Sequence, residues 1–208
     1  MLVKKRMLSA LAAITVCGSG CMTFNGGELP RRSLPGGSSY VPVVSTEVGE
    51  IALLHNNDPG GMKPPMSAHG IGNRELTAVL SRWKGRKLIR DYGPPGKLDD
   101  EPDYNLKITG RQNEQSSLFA SFVTGFTMFL FPSSATVEGD WSFELTNKRT
   151  GESFVVPTKN SVTMWMHLIF LPGLPVFFMG QYRADSDVSA YVYDEFVKQG
   201  AWRGSSRP

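Results

Sequence analysis

The chain has 208 residues, with 22 Lys or Arg against 19 Asp or Glu and a formal net charge of +3. Lys4, Lys5 and Arg6 account for that excess, since beyond residue 20 there are 19 basic and 19 acidic residues. A neutral body lacks the basic footprint that nucleic acid demands, so nucleic acid is excluded as a partner. Both cysteines, Cys17 and Cys21, lie in or at the end of the N-terminal segment, which leaves the rest of the chain without an internal disulfide or a Cys-based metal site.

Residues 1–20 carry Lys4-Lys5-Arg6, then an apolar run from Met7 to about Val16, then Gly18-Ser19-Gly20. This is the layout of a secretory signal peptide. The run is about half of the ~20 apolar residues that a spanning helix needs. Small residues directly before Cys21 resemble the lipobox of a bacterial lipoprotein precursor. That resemblance implies acylation of the Cys21 thiol, cleavage just before it, and anchoring in a membrane by covalent lipid; two acyl signals anchor stably where one does not. No other cofactor is implied. Gly18 stands where such signals usually carry Leu, and an ordinary cleaved secretory signal is the alternative. By the same resemblance, Met22 in place of Asp implies the outer membrane, with the domain facing the periplasm.

Residues 21–40 read as a flexible tether, rich in Gly, Pro and Ser and poor in apolar side chains. The folded domain is expected over residues 41–200. Val41 to Val44 and Glu50 to Leu54 read as short strands, and residues 55–72 as one irregular loop. Leu76, Val79, Leu80 and Trp83 recur at i, i+3, i+4 and i+7, the apolar face of a helix starting near Gly72-Asn73 and stopping at Gly85. Arg86 to Tyr92 predicts a strand, Gly93-Pro94-Pro95-Gly96 breaks it, and Asp99-Asp100-Glu101 is a solvated acidic run. Tyr104, Leu106 and Ile108 alternate with polar residues, as in a half-buried strand.

The second half holds two long uncharged stretches, 23 residues between Glu114 and Glu138 and 23 between Lys159 and Arg183. Their apolar cores are residues 118–132 and 162–179. Between them Trp141, Phe143 and Leu145 alternate on one strand, Asn147 to Gly151 turns, and Phe154 and Val156 continue on another. A hairpin returns the chain to its start, so both apolar segments leave the sheet from the same end. A closing helix is expected from Asp185 or Ser186 to Gly200, followed by a polar tail over 201–208. The fold class is α/β (α+β): one small domain with a short mixed or antiparallel sheet, two main helices, and two apolar segments projecting from one end.

Three arrangements of those segments are physically open: transmembrane helices, buried core, or an exposed apolar edge that docks on membrane or protein. Pro172 and Pro175 break the second segment, and Trp and Phe suit a water–acyl interface, which favours the exposed edge. Its expected contact residues are Phe126, Phe129, Phe131, Trp165, Leu168 and Phe170. The layout from Gly125 to Pro132, the hairpin, Trp165 to Pro172 and a closing helix resembles small uncharacterised proteobacterial lipoproteins. More weakly, it resembles periplasmic lipoproteins that oligomerise into rings or secretion channels. The resemblance implies a lipid-anchored cell-envelope protein with a structural or accessory role, bound to the membrane and to an envelope protein or further copies of itself. The alternatives are a homo-oligomeric ring or pore component and a periplasmic carrier of an apolar ligand.

Catalytic patterns do not emerge. His55, His69 and His167 lack metal-ligand spacing, and Asp99, Asp100, Glu101 and Asp103 do not have the spacing of an EF-hand loop. No nucleophile elbow, P-loop or dinucleotide fingerprint occurs. The expectation is a protein that is not an enzyme and holds no metal.

Overall fold

The computed structural model describes residues 20–26, 29–30, 32–36, 41–59, 66–127, 131, 133–167 and 174–202. Six strands form one mixed sheet: β1 (Gly20–Asn25), β2 (Val43–His55), β3 (Asp91–Gly93), β4 (Tyr104–Ser116), β5 (Ser133–Asn147) and β6 (Ser153–His167), in the order β1-β6-β5-β4-β2-β3. β2 runs parallel to β3 and β4, and every other pair is antiparallel. A parallel pair needs a long crossover, and helix α1 (Ala68–Gly85) lies within the one between β2 and β4. Helix α2 (Leu118–Phe126) links β4 to β5, and helix α3 (Leu174–Lys198) follows β6.

The alternation of apolar residues decides which sheet face is covered. Leu106, Ile108, Trp141, Phe143, Leu145 and Val156 form a buried cluster with Leu76, Val79, Leu80 and Trp83 of α1 and Val188, Val192 and Phe196 of α3. Trp83 is fully buried at the centre, edge-on to Tyr193 at 5.4 Å and to Trp202 at 6.0 Å between ring centroids. Its indole N–H donates to the Ser189 carbonyl at 3.0 Å, and the Ser189 hydroxyl donates to the Val79 carbonyl at 3.1 Å. Each of the two polar side chains thus finds a backbone carbonyl inside the apolar layer.

The hairpin turn forms as read. Gly151 (φ 76°) takes the left-handed position, and the Asn147 side-chain oxygen accepts from the amides of Arg149 at 2.9 Å and Thr150 at 3.2 Å.

Several elements differ from the sequence reading. The two short strands near 41–54 are one strand, β2, with a register shift between Val48 and Ile51. Helix α1 begins before Gly72, because the Ser67 hydroxyl caps it by accepting from the Gly70 amide at 3.1 Å. The strand predicted over Arg86–Tyr92 shrinks to Asp91–Gly93: Leu88 and Ile89 are buried as a loop after Lys87, whose φ is 58°. Helix α3 starts at Leu174, not at Asp185 or Ser186. Pro175 falls in its first turn, where a missing N–H costs no hydrogen bond. The polar tail does not begin at 201, since Ala201 is buried and Trp202 packs among Trp83, Tyr104 and Tyr193.

The stretch expected as a tether, residues 21–40, is seated on the domain wherever it is described. β1 pairs with β6, and Leu29 and Leu34 pack against the core. The Arg32 guanidinium donates to the carboxylates of Asp194 and Glu195 and lies over the Tyr191 ring at 5.2 Å. The Lys198 ammonium and then Arg32, hydrogen-bonded to the Glu195 carboxylate, hold it below the usual carboxylate range. The signal segment lies outside the described residues except for Gly20.

Candidate functional site: the apolar end of the sheet

Strand register brings four chain segments to one end. The end of β4 meets the start of β5 at Ser116↔Ala135, and β5 meets the end of β6 at Ser133↔Met166. On the other side of β6, the start of β1 pairs as Gly20↔His167 and Cys21↔Met166. The expected common exit of the two apolar segments therefore follows from the ladder. The second segment divides into the end of β6, residues 168–173 outside the described set, and the first turns of α3.

Helix α2 stands directly on this end. The Ser117 hydroxyl caps it by accepting from the Ala120 amide at 3.2 Å, and the Thr127 hydroxyl donates to the Val123 carbonyl at 2.7 Å. Phe122 and Phe126, one helical turn apart, stack with centroids 6.2 Å apart and planes inclined by 14°. They are 71% and 82% exposed, Phe131 is 59% exposed and Trp165 40%. Among the described residues, every exposed large aromatic side chain lies at this end.

Along its strands and α2 this end also carries no Asp, Glu, Lys or Arg. His167 ends β6 at the rim itself, and the first Asp, Glu, Lys or Arg residues down the strands are Glu114 on β4, Glu138 on β5 and Lys159 on β6. Lys159 is six residues from Trp165, roughly 20 Å along the strand at ~3.3 Å per residue. A surface with apolar rings and no carboxylate, ammonium or guanidinium gains by leaving water and desolvates no such ion when it enters an apolar environment.

Of the residues read from the sequence, Phe126, Phe131 and Trp165 are brought together here. The backbone of Cys21 joins them through β1, and Phe129, Leu168 and Phe170 lie outside the described residues. Phe122 was not singled out, although its i, i+4 spacing to Phe126 carried the signal. These four aromatic side chains stand apart from the buried cluster, which removes them from the core reading. Among the described residues no helix is long and apolar enough to cross a membrane.

Nor do the acidic or histidine residues converge: among the described residues no three His, Cys, Asp or Glu side chains are grouped to hold a metal ion. In the acidic run after Lys97, Asp100 pairs with Arg90 at 2.9 Å and Asp103 accepts from the Val43 amide at 2.9 Å.

No protein-family model matches the chain, and no curated protein matches it. Among solved structures, it is similar to a Xanthomonas campestris protein of a family of unknown function, at 10% identity and a TM-score of 0.44, over 83% of this chain and 97% of that one. It is similar to a PelC dodecamer subunit from Paraburkholderia phytofirmans at 10% identity and a TM-score of 0.25, over 79% and 98%. A presumed lipoprotein from Caulobacter crescentus aligns at 12% identity and a TM-score of 0.28, over 76% and 93%. Likenesses this distant say nothing of activity.

Proposed function

We propose that this chain is a non-catalytic accessory lipoprotein of the cell envelope. It is acylated at Cys21, faces the periplasm, and rests its apolar end on the outer membrane. The observation that carries the reading is the register: Cys21 and Ser133 both pair with Met166, beside the exposed Phe122, Phe126, Phe131 and Trp165. A lipid on Cys21 would hold that end of the sheet against the bilayer. Aromatic rings would then enter the interfacial zone they favour, and the uncharged rim would meet acyl chains without burying an ion. Anchor and surface act together, as two weak membrane signals must for stable attachment.

The test is the intact mass and membrane partitioning of the native protein beside Cys21→Ser. The native protein is expected to begin at Cys21 with added acyl mass. The variant is expected to keep a weaker association that salt does not remove. A native mass without acyl chains would overturn the anchoring, and complete release of the variant would overturn the docking of the apolar end.

A further inference from the structure

A second feature lies on the other face of the sheet. The helices cover the face that carries Trp141, Phe143 and Leu145, so residues at the intervening positions point away from them. The ladder brings Arg111 opposite Asp140, Asp140 opposite Lys159, Asn113 opposite Glu138, and Glu138 opposite Ser161. These positions, with Leu54 and Asn57, line a cavity of about 370 Å³. That volume falls within the usual range of small-molecule sites.

The cavity has a built wall. Asn56 and Asn57 both occupy the left-handed region, at φ 52° and 64°, in a two-residue turn closed by reciprocal bonds between His55 and Asp58 at 3.0 and 2.9 Å. The Asn113 side chain holds that turn against β4: it accepts from the Asn57 amide at 3.0 Å and donates to the Asn57 side-chain oxygen at 2.9 Å. On the opposite side the Arg111 guanidinium donates to one oxygen of Asp140 at 2.7 Å. Gln115 donates to one oxygen of Glu138 at 3.0 Å. Among the described residues this leaves the second oxygen of each carboxylate, and the Lys159 ammonium, without a partner.

We infer that this cavity binds a short neutral saccharide. Two cations and two anions cancel, so neither an anion nor a cation is selected. Free carboxylate oxygens accept and the ammonium donates, and a sugar hydroxyl does both from one atom. Leu54 supplies the apolar patch that the C–H face of a pyranose ring requires. The polar groups are solvent-accessible, with the Arg111 side chain 60% and the Asp140 side chain 32% exposed, so a ligand exchanges their water for hydroxyl contacts and the expected affinity is modest. Ser161 is five residues from Met166, roughly 16 Å from the apolar end. The site is therefore separate from the docking surface and stands or falls without it.

The experiment is calorimetric titration of the detergent-solubilised full-length protein with maltotriose and chitotriose, and with inorganic phosphate as the charged probe. Saturable binding of at least one saccharide is expected, insensitive to salt and weakened about tenfold or more in Asp140→Ala and in Lys159→Ala, with the thermal midpoint of Lys159→Ala unchanged. Should Asp140→Ala disturb the fold by freeing Arg111, Lys159→Ala decides, because it breaks no bond of the protein. The inference is overturned if neither saccharide binds up to ~10 mM, if phosphate alone binds, or if Lys159→Ala binds as the parent does.

Discussion

Replacing Phe122 and Phe126 together by Ser, in the Cys21→Ser background, isolates what the apolar end contributes. The two rings expose 71% and 82% of their surface. A phenylalanine offers ~200 Å², so the pair presents about 300 Å² to its surroundings. At ~25 cal/mol per Å² full immersion would be worth roughly 7–8 kcal/mol. The rings stack on each other and meet a bilayer from one side, so about half of that, ~3–4 kcal/mol, remains. The expected result is a loss of vesicle partitioning on the order of 10²–10³-fold, measured by flotation with phosphatidylethanolamine–phosphatidylglycerol vesicles. Because neither ring is buried, the urea-unfolding free energy should change by less than ~1 kcal/mol. Unchanged flotation would refute the docking. A stability loss of ~3–5 kcal/mol, the cost of a buried aromatic, would return these rings to a packed interior.

Four further outcomes follow from the fold. Trp83→Ala removes a fully buried ring in edge contact with Tyr193 and Trp202 and orphans the Ser189 carbonyl, so calorimetry should register a loss of ~3–5 kcal/mol or failure to fold. Gly110→Ala should cost ~2–4 kcal/mol by urea unfolding, because Gly110 sits at φ 148° and a Cβ there would overlap the Asp140 carbonyl oxygen; a neutral result would mean that β4 and β5 shift apart easily. Arg32→Ala should cost only ~1 kcal/mol, the pair being partly exposed, yet should speed proteolysis of the segment around Arg32. Glu195 has a lowered pKa in the fold. The stability this brings is present above the ordinary glutamate value of ~4.3 and lost as pH falls through the lowered one. Protection of that segment should therefore be flat from neutral pH to about 5 and decline below it. A decline centred near neutrality would refute the assignment to Glu195.

How much of this was legible in the sequence depends on whether the signal was local. The Leu76–Trp83 stripe, the Tyr104–Ile108 alternation and the Asn147–Gly151 turn each lie within a dozen residues, and each forms as the pattern demands. The common exit of the apolar segments was legible because a hairpin fixes it whatever its flanks do. The seating of the N-terminal stretch was not, since Gly, Pro and Ser between Gly26 and Ser39 resemble a linker whether or not the chain finds an edge strand to pair with. The start of α3 was hidden because Pro172 and Pro175 look like breaks until one of them falls in a first turn. Trp202 looked like an isolated aromatic in a polar tail, and only its distant neighbours Trp83 and Tyr104 give it a place. The polar cavity draws its side chains from several strands, and no spacing along the chain announces it.

The pairing of β1 with β6 also sets an order of events in time. Under the acylation reading, the bond to be cut joins Gly20 to Cys21, and both residues belong to the ladder opposite His167 and Met166. A peptidase grips extended backbone through the same amide and carbonyl groups that such a ladder consumes. Their partners emerge about 140 residues later, an interval on the order of 10 s at ribosomal rates. On that reading leader removal would fall within that interval. A chain that closed its sheet first would shield that bond, so on the acylation reading completion of the fold would be the deadline for maturation.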